Sequence, residues 1–166
     1  VDKSFYLALC RIEPENNVAL TLQAFSETGA RLIFIGNWSS SEYGKRLRNE
    51  FSDTVNILLL DPIYDERVLS TYRSRCLAYV HGHSAGGTNP SLVEMMHFEK
   101  PIIAFDCVYN RATMENNGVF FDSVEVLKDL IQNAQELPGA RELRNIAQRR
   151  YNWNIIRQQY FGLFKH

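Results

Sequence analysis

Apolar residues along this chain gather into short runs separated by amphipathic stretches. The runs are SFYLALC (4–10), RLIFIG (31–36), VNILLL (55–60), CLAYVH (76–81) and PIIAFD (101–106). None alternates cleanly between apolar and polar positions, which is how strands buried on both faces of a parallel sheet read. Between the first two lies PENNVALTLQAFSETG. Pro14 is placed to open a helix, Val18, Leu22 and Phe25 recur at helical spacing, and Gly29 closes it. Helices over about 42–51, 65–74 and 90–99 fill the later gaps. A weaker run, GVFF (118–121), adds a sixth strand, followed by helices near 123–135, 139–150 and 153–165. The alternation predicts an α/β fold with a doubly wound parallel sheet of about six strands, in one domain over 1–166.

That fold locates a site before any motif is considered. In open parallel sheets, ligands bind outside the carboxyl ends of the strands, where the strand order reverses. For the order 3-2-1-4-5 this crevice lies between the first and fourth strands. The loop after the first, RIEPENN, opens with Arg11; the loop after the fourth is HGHSAGGTNP. An arginine and a glycine loop facing one crevice suit an anionic ligand.

Composition narrows the class without naming it. The chain has 166 residues, 45% hydrophobic and 22% charged, with a net charge of −1. Such a balance gives no electrostatic reason to expect nucleic acid as a partner. The basic clusters KRLR (45–48) and RELRNIAQRR (141–150) sit at helical spacing among acids and amides and read as solvated helix faces. No apolar run approaches the ~18–20 residues that cross a bilayer, and no signal-peptide pattern opens the chain. Three cysteines without motif spacing argue against a disulfide framework. Cys10 and Cys76 read as inert buried thiols, Cys107 follows an apolar run, and the expected compartment is reducing and cytoplasmic.

The stretch HGHSAGG (81–87) admits two chemistries. Gly82-His83-Ser84-Ala85-Gly86 matches the G-x-S-x-G elbow that exposes a nucleophilic serine. An elbow needs its helix directly after the serine, but Asn89 and Pro90 mark a helix start six residues beyond Ser84. The triad order also needs a histidine after an acid, and only His97, in the very next helix, and the terminal His166 follow. The alternative is a phosphate cradle. Gly86 and Gly87 would let backbone approach a ligand, and amides around Thr88, Asn89, Ser91 and Leu92 would point at it. Arg11 would add a charge-assisted bond, and Glu94, about one turn into the helix, would accept from a ribose diol. A glycine loop that only turns the chain, with Glu94 facing solvent, is the bland alternative. His81 and His83 alone make no metal site, having no third ligand at suitable spacing. A loop histidine bonded to backbone or phosphate fits His83 better.

With these residues assembled, the chain resembles the C-terminal, donor-binding domain of GT-B glycosyltransferases that carry an E-x7-E motif. The likeness runs through CRIEPENN, IGNW, the segment LLLDPIYDERVLSTYRSRCLAYVHGHSAGGTNPSLVEMM, KPIIAFD and the final YNWNIIRQQYFGLF. The HGHSAGGTNPSL wording looks like the branch that builds bacterial surface polysaccharides, including rhamnosyltransferases. The resemblance implies a Rossmann-like half of a GT-B enzyme that binds a nucleotide-sugar donor, and a retaining transfer that needs no metal and no cofactor. It implies that Arg11 contacts the donor diphosphate, that Glu94 binds the ribose, and that backbone around Ile63 meets the base. Gly36, His83, Gly86, Gly87, Thr88, Asn89, Ser91 and Leu92 complete the implied donor site, with Arg11 and Glu94 in the catalytic role. The family's usual lysine falls on Asn16 and its first motif glutamate on Gly86. The implied partners are a glycan or lipid-linked acceptor and an N-terminal acceptor domain. The sequence enters its first strand within a few residues of Val1, so that domain is expected outside this chain and the chain alone is expected to bind donor without transferring sugar. The full-length enzyme is expected to be cytoplasmic, peripheral at the inner face of the membrane. A non-catalytic nucleotide-sugar binding module remains the alternative. An apolar stripe of Tyr151, Trp153, Ile156, Tyr160 and Phe164, with Phe161 and Leu163 beside it, is expected to leave an exposed patch or to serve as core.

Overall fold

A computed structural model describes residues 5–133, 137–138 and 140–152. Six strands, β1 (Tyr6–Leu9), β2 (Leu32–Ile35), β3 (Ile57–Leu60), β4 (Tyr79–His81), β5 (Ile102–Phe105) and β6 (Val119–Phe121), form one parallel sheet in the order β3-β2-β1-β4-β5-β6. The doubly wound sheet expected from the apolar runs is present, with the order reversing between β1 and β4.

The period of two along β1 divides the core. Tyr6 and Ala8 pack on one face against Val18, Leu22 and Phe25 of α1 (Val18–Thr28), Leu47 of α2 (Glu42–Phe51) and Leu127 and Ile131 of α6 (Val124–Gln132). Phe5 and Leu7 pack on the other. There they meet Leu69 of α3 (Glu66–Arg75), Leu92, Met95 and Met96 of α4 (Pro90–Met96), and Leu143, Ile146 and Ala147 of α7 (Ala140–Arg150). Full burial of each such aliphatic or aromatic side chain contributes about 1.5–3 kcal/mol, so both faces are needed to offset the ordering of a parallel sheet.

Local chemistry moved several boundaries. The helix expected from Pro14 begins as a single 3-10 turn, Pro14–Asn16, and breaks at Asn17, which has φ 49°. Asn17 tolerates this left-handed conformation, and its Nδ2 donates to Gly82 O at 2.8 Å. The run CLAYVH contributes less strand than expected, because α3 continues through Arg75 and the Cys76 amide caps it on Tyr72 O. Helix α5 (Val108–Thr113) went unrecognised. Its six residues carry few apolar positions, and buried Asn110 holds it by donating to His83 O (2.8 Å) and Phe105 O (2.9 Å).

Both basic clusters are paired with acids as solvated faces: Arg48 with Asp61 (2.8 Å), Arg144 with Glu99 (2.5 Å) and Arg149 with Glu115 (2.7 Å). All three cysteines are free thiols, and burial pushes those of Cys10 and Cys76 up to about 12. No described helix is long and apolar enough to cross a membrane. The helix expected over 153–165, and with it most of the apolar stripe, lies outside the described residues.

Candidate functional site

The carboxyl ends of β1, β2 and β3 open onto a pocket of about 610 Å³. Arg11 follows β1, Gly36 and Asn37 follow β2, and Pro62, Ile63 and Tyr64 follow β3. Glu66, Leu69 and Arg73 of α3 and Ser91 and Glu94 of α4 complete the wall. Arg11, Gly36, Ile63, Ser91 and Glu94 are thus brought together by the fold. Gly36 has a steric reason to be glycine: a Cβ there would stand 2.8 Å from Cys10 O and 2.4 Å from Ile12 Cδ1, where the ends of β1 and β2 converge. Arg11 is 73% exposed and meets Glu13 at 3.4 Å, a loose surface pair that leaves its guanidinium available.

Directly between β1 and β4 the expected crevice is closed. Ser84 N and Oγ both donate to Glu15 O (2.9 and 2.8 Å), and Asn17 bonds Gly82 O. Gly82 lies so close to the first loop that a Cβ would meet Asn16 O at 2.2 Å. Asn16, which stands where the resembling family carries lysine, is buried in this seam. Its Nδ2 donates to Arg11 O at 2.7 Å, so its Oδ1 is the acceptor toward His83 Nδ1, 2.7 Å away. His83 therefore carries its proton on Nδ1 when neutral, with Nε2 turned toward Gly86. On its Nδ1 side the partner of His83 is the Asn16 amide oxygen. Burial and the nearby Arg11 charge hold the His83 pKa below the usual range, against a smaller opposing effect of Glu15. His81, stacked on Tyr79, buries Nε2 without a partner, and burial lowers its pKa to about 3. Among the described residues no three metal-ligating side chains cluster. The Ser84 hydroxyl, committed to a main-chain carbonyl, is not arranged as an elbow nucleophile.

The glycine loop departs from the cradle expected of it. Gly86, at φ 85°, adopts a conformation that residues with a side chain rarely enter, so the backbone favours glycine at the position where the resemblance would put a glutamate. Gly86 and Gly87 stand outside the pocket wall, and a Cβ on Gly87 would meet nothing within 4 Å. The Ser91 amide is not open to a ligand: Asn89 Oδ1 accepts from it at 3.0 Å as the helix cap. Leu92 places its side chain in the core. Thr88 borders a second hollow of about 550 Å³, which shares Glu94 with the first and reaches Tyr151.

Glu94 stands between buried Leu92, Met95 and Met96 but is itself exposed. Its side chain is 53% exposed at the pocket rim, and the buried guanidinium of Arg73 donates from Nη2 to its Oε2. Arg73 also reaches Glu66 Oε1 at 3.4 Å. Sequence reasoning missed Arg73, although a signal existed. Leu69, Tyr72, Arg73 and Cys76 share the i, i+3, i+4, i+7 stripe of α3, so a charge stands among residues that face the core.

A six-stranded parallel sheet of this order, flanked by helices on both faces, is the Rossmann-like architecture of one half of a GT-B glycosyltransferase. The chain belongs to the glycosyl transferases group 1 family, whose model matches residues 1–153. Its backbone is similar to that of Anabaena HepE in complex with UDP-glucose: 18% identity over 96% of this chain and 48% of that one, TM-score 0.83. Sucrose-phosphate synthase from Thermosynechococcus elongatus is also similar, at 17% identity over 99% of this chain and 45% of that one, TM-score 0.82. TarM matches at 15% identity over 99% of this chain and 35% of that one, TM-score 0.80. The chain spans about half or less of the length of each. No curated protein matches it closely in sequence.

Proposed function

We propose that this chain is the donor-binding domain of a retaining, metal-independent glycosyltransferase of the E-x7-E type, with the strand-end pocket holding a nucleoside diphosphate sugar. The observation that carries the reading is the placement of Arg11 and Glu94 on one 610 Å³ pocket at the carboxyl ends of β1–β3. In this reading the base lies along the Pro62–Ile63 loop, Glu94 accepts hydrogen bonds from ribose hydroxyls, and Arg11 turns from Glu13 onto the diphosphate. Transfer breaks the bond between the anomeric carbon and the diphosphate oxygen. An acceptor hydroxyl forms the new bond and its proton passes to the departing diphosphate oxygen, while Arg11 offsets the charge growing on that leaving group. The HepE complex with UDP-glucose supports a donor of this chemical class.

The acceptor is a glycan or a lipid-linked glycan, and an N-terminal domain of the same enzyme supplies its site. The HGHSAGGTNPSL wording supports a role in surface polysaccharide synthesis on the rhamnosyltransferase-like branch. Ser84 serves the seam, and a hydrolase built on it has no geometric support. Calorimetry with UDP, GDP and dTDP tests the donor reading: one of them binds, and the matching nucleoside binds more weakly. Absence of binding by all three overturns it.

A further inference from the structure

Among the described residues Arg73 is the one Lys, Arg, Asp or Glu that is buried, with a side chain 5% exposed. A guanidinium withdrawn from water is costly unless its charge is offset and its N–H groups are used. Two carboxylates of the pocket wall do this. Nη2 donates to Glu94 Oε2 on α4, and Nη1 approaches Glu66 Oε1 on α3 at 3.4 Å. The cation also lies 5.8 Å from the centroid of the Phe98 ring. Stability alone does not ask for this arrangement, because an apolar side chain would fill the same position on the α3 stripe without a desolvation cost.

The consequence falls on Glu94. A glutamate on an exposed helix face samples several rotamers, and a ligand must then order it at an entropic cost. Tied through Oε2 to a buried arginine, Glu94 is held in one orientation, with Oε1 left to accept from a ligand. Glu66, on the other prong, keeps the guanidinium from turning away. We propose that Arg73 is a positioning residue of the donor site, holding Glu94 preorganised for the ribose hydroxyls. This rests on the donor reading of the pocket.

Calorimetry tests it with UDP, or whichever of GDP and dTDP binds more tightly, and with the matching 2′,3′-dideoxynucleotide. Arg73→Met is expected to weaken binding of the hydroxyl-bearing nucleotide about ten-fold, because the ligand must then order the Glu94 side chain itself. Binding of the dideoxynucleotide stays within about two-fold of wild type, because it never used Glu94. In a Glu94→Ala background Arg73→Met adds nothing further. Arg73→Lys, which keeps the charge without the two-pronged geometry, recovers part of the loss, and it reads the same contrast should Arg73→Met fail to fold. Equal losses for both nucleotides, or no loss for either, overturn the proposal. Failure of wild type to bind any of the three diphosphates is a separate result, directed at the donor reading.

Discussion

Between β1 and β4 the strand-end loops are bound to each other, whereas the loops after β1, β2 and β3 border an open pocket. The seam is made of uncharged groups: the Asn16 and Asn17 amides, the Ser84 hydroxyl and backbone carbonyls, each with a protein partner. The pocket carries the charges, with Arg11 loosely paired on one side and Glu94 held by Arg73 on the other. A group whose hydrogen bonds are met inside the protein has little left for a ligand, so the seam serves as frame. Through Asn16 it also fixes the backbone of Arg11, the residue from which the charged side begins. A reversal of strand order creates room for a ligand, and side chains decide how much of that room stays open.

The sharpest way to break this contrast is to force the seam apart. Gly82→Val drives a side chain against Asn16 O and is expected to destabilise the fold by on the order of 3 kcal/mol, read by urea denaturation. An unchanged midpoint would mean that the seam is not the frame.

The charged side should respond in binding rather than in folding. Glu94→Ala is expected to weaken a bound nucleoside diphosphate by about 1.5–3 kcal/mol, and Glu94→Gln by less. Arg11→Ala should lose a similar amount with the diphosphate and little with the nucleoside, since its partner is the phosphate charge. Calorimetry with both ligands separates these, and equal losses for nucleoside and diphosphate would assign Arg11 a structural role.

Acid should also act on the two histidines at the end of β4 and in its loop. His81 and His83 have folded pKa values below the unfolded value near 6.5, so above that pH both states are neutral there and nothing is lost. As pH falls through 6.5 the unfolded chain takes up protons that the native histidines refuse. Stability drops by about 1.4 kcal/mol per pH unit for His81, levelling only near pH 3. Urea curves at pH 7 and pH 5 should differ by about 2 kcal/mol on this account, and His81→Asn should remove most of the difference. A flat profile over that interval would show that His81 is protonated in the native state.

The smallest effect is expected at Ser84. Ser84→Ala removes one hydroxyl bond to Glu15 O and should cost about 1 kcal/mol of stability while leaving nucleotide affinity unchanged. A large loss of binding would place the serine in the site instead of the frame.

Most of the architecture was legible because apolar runs and helix punctuation act locally. Pro14, Gly29, Asn89 and Pro90 all stand at helix ends. The charged ends of the pocket were legible too: Arg11 and Glu94 follow from strand order and helix position. What the sequence did not disclose depends on partners distant along the chain. The Ser84 hydroxyl is answered by Glu15, and His83 by Asn16, through contacts that exist only once β1 and β4 lie side by side. Arg73 was marked only by its place on the apolar stripe of α3, while its partner Glu94 stands on a later helix. Helix α5 was missed because a single buried asparagine, rather than an apolar stripe, holds it in place.

A crystal structure of this chain with the nucleoside diphosphate that binds most tightly is the most direct test of the donor site. The expected result is a nucleotide in the β1–β3 pocket, with the base along Pro62–Ile63, a ribose hydroxyl within hydrogen-bond distance of Glu94 Oε1 and the diphosphate beside Arg11. A nucleotide seated instead in the hollow between Thr88 and Tyr151, with Arg11 still paired to Glu13, would contradict it.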